Sequence, residues 1–420
     1  MGGFFLKLVF NYGKESLGLN IQDQHIVDIV RASMPAAGHA EWEIMRALNE
    51  PLGCPSLTTL IRQKNPKKVV LVVTDISRPV PQQWALPPLL EQIHEAGLKR
   101  EQLTFVIATG AHRPNTPEET RESFGDMVDC YRFINHNCDS NLVSMGFLQD
   151  GSELLVNEKV AEADMIVTVG AVMPHNLAGF SGGPKLICPG VAGRKTIQAN
   201  HSMMEKQGVG PGKTSGNPIQ EQFWQAAEQV GVDFAVNLVL NHENSILKAF
   251  AGNPKRSWQE ACVYCRKVYR LPLPEPASVV LAGAGGYPRD MNLYQSVKAL
   301  INAARLVRPG GTVVLVAQCR DGMGEPLFQK WMQEAQKPED VLERFKQQGF
   351  SLGPHKAFMI CRVLKKIEVV LISDLAQSKI QGPLLKAVTH WEQAEREIIK
   401  RHGSNYRMVI LPQAELVFPL

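Results

Sequence analysis

The stretch KKVVLVVTDISRP, residues 67 to 79, decides the fold. Five consecutive valine or leucine residues are too few for a helix of ordinary length and too apolar for a strand with one wet face. They read as a strand buried on both sides, the kind found in parallel sheets covered by helices. Outward in both directions the same grammar recurs. PPLLEQIHEAGL at 87 to 98 has helical spacing, QLTFVIATGAHRP at 102 to 114 opens with a second buried strand, TPEETRESFG at 116 to 125 is helical, and DMIVTVGAVMPH at 164 to 175 opens with a third. Alternating strands and helices predict an α/β fold with mainly parallel sheets.

Further along, the Pro-rich segment RLPLPEPAS at 270 to 278 reads as a linker. Beyond it, VVLAGAGG, NLYQSVKALINAARLV, GGTVVLVAQ, EPLFQKWMQEAQ and IEVVLIS repeat the strand and helix alternation on a smaller scale. With 420 residues, one core is not expected to serve the whole chain. The expected layout is an N-terminal α/β domain over 1–270 and a smaller C-terminal α/β domain over 271–420. An active-site cleft is expected between them, and the last strand is free to return to the first domain. The opening FFLKLVFNYGKESLGLNI reads as a strand, turn and strand, an edge hairpin.

Composition removes several classes of function. The 45 basic and 41 acidic residues leave a net charge of +4, without a basic arm or stripe, so nucleic acid is not an expected partner. No apolar run nears the roughly 18 residues that span a bilayer, and the start lacks a signal-peptide pattern, so a cytoplasmic protein without membrane contact is expected. Eight scattered cysteines do not make a disulfide framework. Cys262 and Cys265 form a lone C-x-x-C inside a helical pattern, which reads as an i,i+3 pair rather than half of a zinc site.

Ligands of open α/β sheets bind beyond the carboxyl ends of the strands. There the sequence places Asp75 and Arg78 after the first strand, Thr109, Gly110 and His112 after the second, and His175 after the third. Singly, an Asp at a strand end is more often a helix cap, and a His a satisfied core or surface group. Together they suit chemistry: two imidazoles for general acid and base work, and a guanidinium fork for a carboxylate. Two bases facing one carbon from opposite sides are what a racemase requires.

Next comes GFSGGPKLICPGVAG at 179 to 193, whose glycines Gly182 and Gly183 permit close approach to a phosphate. It is not a P-loop, since Pro184 precedes Lys185 and Leu186 follows it; the plain alternative is a surface loop with a solvated lysine. His201 offers a further imidazole for a metal. In the second domain Asn292 is placed as a helix cap, with Gln295 and Lys298 on one helix face.

In order along the chain, DISRP, ATGAHRP, PH with GFSGGPKL and PGVAG, His201, and GYPRDMNLYQSVK resemble the nickel-dependent lactate racemase family, and the resemblance spans nearly the whole chain. It implies a racemase or epimerase of 2-hydroxy acids that works by reversible hydride transfer from substrate C2, through a 2-keto acid. The implied cofactor is a nickel-pincer nucleotide, pyridinium-3-thioamide-5-thiocarboxylic acid mononucleotide with nickel, linked to Lys185. It implies His201 as the nickel ligand, His112 and His175 as catalytic bases, and Asp75 as support for one of them. Arg78, Tyr294, Gln295, Lys298 and Phe358 are implied at the substrate, and Thr109, Gly110, Gly182 and Gly183 at the phosphate and cofactor. Phe358 stands where lactate-acting members are expected to carry Trp, which leaves the particular hydroxy acid open. Cofactor-synthesis enzymes are the implied partners. Two readings compete: a zinc hydrolase built on His112, His175 and His201, and a non-catalytic nucleotide- or cofactor-binding protein.

Overall fold

The computed structural model describes residues 4–31, 38–78, 80–375, 380 and 382–418. It is an α/β protein with mainly parallel sheets, as expected, and it divides into two compact units. One is Met34–Val268; the other combines Met1–Ser33 with Tyr269–Pro419.

The sheet of the first unit runs, in spatial order, Ile246–Gly252, Phe234–Leu240, Met165–Ala171, Val69–Thr74, Leu103–Ala108 and Arg132–Asn135. All neighbours are parallel except the first pair. Val69 to Val73 are buried without exception, which is the two-sided cover that their apolar run demanded. Between strands, local signals set the helices. Thr116 and Glu119 form a reciprocal capping box ahead of Pro117–Phe124, and Asn217 caps Pro218–Val230, which Gly231 ends in the left-handed region.

Chain order fixes where a ligand can sit. From Val69–Thr74 the chain moves outward to Leu103–Ala108 and Arg132–Asn135, then returns to the other side of Val69–Thr74 as Met165–Ala171. That reversal is a topological switch point, and it opens a crevice at the carboxyl ends of those strands.

The second sheet runs Lys386–Val388, Glu368–Ile372, Val307–Val316, Ala277–Gly283, Met408–Leu411 and Ile26–Ile29, parallel throughout. Here the expected boundaries are corrected. Residues 1–33 do not join the first unit. Ile26–Ile29 covers the edge of Met408–Leu411, and the ring of His25 stacks on Tyr406 at 3.9 Å. Ahead of it, Phe5–Tyr12 and Glu15–Gln22 form a separate antiparallel ribbon rather than a sheet edge. Leu8, Phe10, Tyr12, Leu19 and Ile21 from that ribbon enter one core with Val279, Leu281 and Ile410. The last strand, Met408–Leu411, likewise stays in this unit. Alternation of apolar residues tells a strand which face to bury, not which sheet will cover it.

Cys262 and Cys265 lie buried in the helix Pro254–Tyr269, where burial pushes both thiols well above their ordinary pKa. All eight cysteines are free thiols. Among the described residues, no helix is long and apolar enough to cross a membrane.

Candidate active site

At the end of Val69–Thr74 the chain turns sharply, with the Arg78 amide donating to the Asp75 carbonyl at 3.0 Å and the Ile76 amide held by Asn115 Oδ1 at 3.0 Å. This aims the Asp75 carboxylate at the neighbouring strand end. Nδ1 of His112 lies 2.7 Å from Asp75 Oδ2, and the Ser77 hydroxyl donates to both carboxylate oxygens at 2.9 Å. Arg78 Nη1 donates to Ser77 Oγ at 3.1 Å. Burial alone would raise the Asp75 carboxyl. The proximity and hydrogen bond of His112, the charge of Arg78 and the Ser77 hydroxyl outweigh it and hold the group below the usual carboxylate range. An ionised Asp75 accepts a hydrogen bond from Nδ1–H of His112, which leaves Nε2 as the acceptor nitrogen of that ring and suits it to general-base work.

His175 comes from the adjacent strand end, because Met165–Ala171 pairs with Val69–Thr74. After Ala171 the chain folds into a two-residue ladder, Pro174–His175 against Gly179–Phe180. Within it, Nδ1 of His175 accepts from the backbone amides of Leu177 and Ala178 at 3.2 and 3.1 Å. The Ser181 hydroxyl ties the ladder down by donating to Ala171 O at 2.8 Å.

The glycine loop follows at once. Gly182 and Gly183 have φ of 70° and 51°, and they lead into a short 3-10 turn, Gly183–Leu186, that carries Lys185 inward. Its side chain is half-buried, and desolvation, with the Arg78 charge adding to it, pushes its pKa down to about 7. The surface-loop alternative would leave this amine near its ordinary value of 10.5. Lys185 Nζ stands 5.7 Å from the centre of the Phe223 ring, and the His201 ring is centred 6.2 Å from that same ring. Phe223, on the helix Pro218–Val230, is therefore the common neighbour of the amine and the imidazole. Sequence reasoning missed it, because a buried aromatic on an amphipathic helix looks like any core residue. Ser77 was missed for a related reason: its role exists only once Asp75 and His112 meet.

The residues expected at a phosphate have partners within the chain. The Thr109 hydroxyl donates to His136 O at 2.7 Å, the Gly110 amide to Gly190 O at 2.9 Å, and the Gly183 amide to Asn237 Oδ1 at 3.1 Å. A Cβ on Gly183 would meet Trp258 Cδ1 at 2.5 Å, and one on Gly182 would meet Val172 Cγ2 at 2.8 Å. These residues bring chain against chain. A missing Cβ looks the same in a sequence whether an anion or a neighbouring strand takes the space.

In the second unit Asn292 caps the helix Leu293–Ala303 by accepting from the Gln295 amide at 2.9 Å. Gln295 is buried and Lys298 half-buried, one turn apart. The Tyr294 ring carries Lys356 Nζ 3.6 Å from its centre and meets Phe328 edge-on. Phe358 is 4% exposed and stacks on Phe345 at 4.3 Å, so within its unit the ring packs into the interior.

Among the described residues, no three His, Cys, Asp or Glu side chains are grouped to hold a metal ion. The zinc-hydrolase reading of His112, His175 and His201 therefore lacks its ligand shell, and His112 Nδ1 already engages Asp75.

Comparison with known proteins now adds to this geometry. Residues 12–210 match the lactate racemase N-terminal domain, and residues 274–418 the lactate racemase C-terminal domain. Lactate racemase from Thermoanaerobacterium thermosaccharolyticum is 32% identical over 374 residues, spanning 86% of this chain and 87% of that protein. The chain belongs to the lactate racemase family. Accordingly it is an enzyme, an isomerase of the racemase type. Within the family, lactate racemase from Lactiplantibacillus plantarum is 29% identical over 414 residues, 96% of each chain. The solved lactate racemase apoprotein from T. thermosaccharolyticum superposes with a TM-score of 0.87 at 28% identity, covering 98% of this chain and 99% of that one. A protein from Thermotoga maritima shares the fold, with a TM-score of 0.69 at 18% identity over 92% of this chain and all of that one.

Proposed function

We propose that this family member is a cytoplasmic racemase or epimerase that inverts C2 of a 2-hydroxy acid with the help of a nickel-pincer nucleotide. The observation that carries the reading is the Asp75 and His112 pair at the switch point, in a unit that also holds a half-buried lysine amine and an imidazole against one phenyl ring. The residues fit such a group. A lysine amine lowered to about 7 is largely unprotonated just above neutrality and nucleophilic, which is what forming a thioamide link demands of Lys185. Among the described residues no three His, Cys, Asp or Glu side chains gather around His201, which suits a metal whose other donors arrive with the cofactor.

When bound, the cofactor supplies an acceptor for the C2 hydrogen with its electron pair. The C2 hydrogen of a hydroxy acid is a poor proton, because its loss would build charge beside a carboxylate. His112 takes the hydroxyl proton through Nε2, and Asp75 balances the imidazolium that results. His175 is the partner acid and base for the opposite configuration. Arg78 holds the carboxylate and keeps the 2-keto acid from leaving before the hydrogen returns to its other face, and Gln295 and Lys298 are the further substrate groups that the family resemblance implies. The relatives' name points to lactate.

The test is production of the chain alongside cofactor-synthesis enzymes. The purified protein should hold nickel in equimolar amount, with added mass on the Lys185 peptide, and it should abolish the optical rotation of one 2-hydroxy acid in a single-enantiomer screen. Zinc in place of nickel, with no organic absorbance and no racemisation, would defeat the proposal.

A further inference from the structure

His112 and His175 are fixed by partners of opposite kind. The carboxylate of Asp75 can only accept, so the 2.7 Å contact at His112 Nδ1 requires a proton on Nδ1 and leaves Nε2 as an acceptor. The Leu177 and Ala178 amides can only donate. Their contacts of 3.2 and 3.1 Å at His175 Nδ1 require a lone pair there, and in a neutral ring the proton then sits on Nε2.

We infer that the resting enzyme holds its two histidines in opposite tautomers, His112 presenting a basic Nε2 and His175 presenting an Nε2–H donor, with the amides of Leu177 and Ala178 as the positioning groups. This rests on the proposed function in taking the two rings as the acid and base of one reaction. The pair is thus unequal before substrate arrives. One configuration of substrate meets a base and a hydrogen-bond donor already in place. For His175 to serve as the base, Nε2 must give up its proton and Nδ1 must gain one, and an Nδ1–H cannot face two amide donors. The turn at 176–178 has to release Nδ1 first. The device is local: Gly179, at φ 79°, closes the turn against the backbone of Lys213, so the two amides are delivered by a chain reversal rather than by a side chain free to rotate.

The experiment is long-range proton and nitrogen correlation on the full chain with labelled histidine at neutral pH, with the two rings assigned from single His112→Gln and His175→Gln samples. His112 should show Nδ1 protonated and Nε2 as acceptor, and His175 the reverse. The same tautomer on both rings, or a protonated Nδ1 on His175, would overturn the inference. A second readout is amide hydrogen exchange at Leu177 and Ala178, which should be slow in the wild type, retained in His175→Asn, whose Oδ1 can accept the same amides, and at least tenfold faster in His175→Phe. Equal exchange in His175→Phe and the wild type would likewise defeat it. Neither readout needs nickel or turnover, so opposite tautomers in a nickel-loaded chain that racemises nothing would sink the proposed function and leave the tautomer assignment standing.

Discussion

Lys185 Nζ lies 5.7 Å from the centre of the Phe223 ring, in a setting dry enough to bring the amine down to about 7. An aromatic face is a poor substitute for water around an ammonium, and no carboxylate is among the groups that set its pKa, so the neutral form gains. Acylation of Lys185 followed by mass spectrometry should therefore rise with a midpoint near 7, while surface lysines follow far higher. Phe223→Leu should move that midpoint upward as water enters, whereas Phe223→Ala should cost about 3 to 5 kcal/mol of stability. The sign for Lys185 itself is fixed. Its folded pKa lies below the unfolded value, so the unfolded chain binds more protons and stability rises with pH between about 7 and 10.5. Lys185→Met should raise the melting temperature at neutral pH and remove the cofactor mass.

Asp75→Asn reverses the hydrogen-bond demand on His112 while keeping shape. Racemisation should fall on the order of a thousandfold with substrate affinity nearly unchanged, as steady-state kinetics would report. The carboxyl is held below its ordinary value of 3.8. Its stabilising contribution is therefore present above that pH and disappears as pH falls through the folded value, so melting curves of wild type and variant should converge in acid.

Metal retention and turnover should separate. His201→Ala should purify without nickel by elemental analysis, and His112→Ala should keep nickel and lose racemisation; the opposite pattern would exchange their roles.

Gly183→Ala puts a methyl group 2.5 Å from Trp258 Cδ1 at a φ of 51°. A loss of about 2 to 4 kcal/mol in denaturant unfolding is expected, the sum of left-handed strain and overpacking. Gly151→Ala, with a φ of 81° and nothing within 4 Å, should lose only about 1 kcal/mol.

A fragment of residues 269–420 should not fold without residues 1–33. It would expose the Met408–Leu411 edge and the floor that Leu8, Phe10 and Ile21 cover. Added as a peptide, residues 1–33 should restore a cooperative melt by circular dichroism.

The sequence by itself determined the local elements. Runs such as Val69 to Val73 admit little except a strand covered on both faces, and Thr116 with Glu119 or Asn217 with Gly231 set helix ends through bonds to neighbours in the chain. It also placed Asp75, His112 and His175 at successive strand ends, where parallel topology puts ligands. Tertiary structure alone decided which sheet receives Ile26–Ile29, that Phe223 brings Lys185 and His201 to one ring, and that Ser77 joins the Asp75 and His112 pair. It alone decided that Thr109, Gly110 and Gly183 bind the chain itself. The physical reason is range. Backbone pattern and capping act over a few residues and are written in order, whereas desolvation, ring contact and the tautomer of an imidazole depend on groups that are distant in sequence or on a turn that exists only after folding.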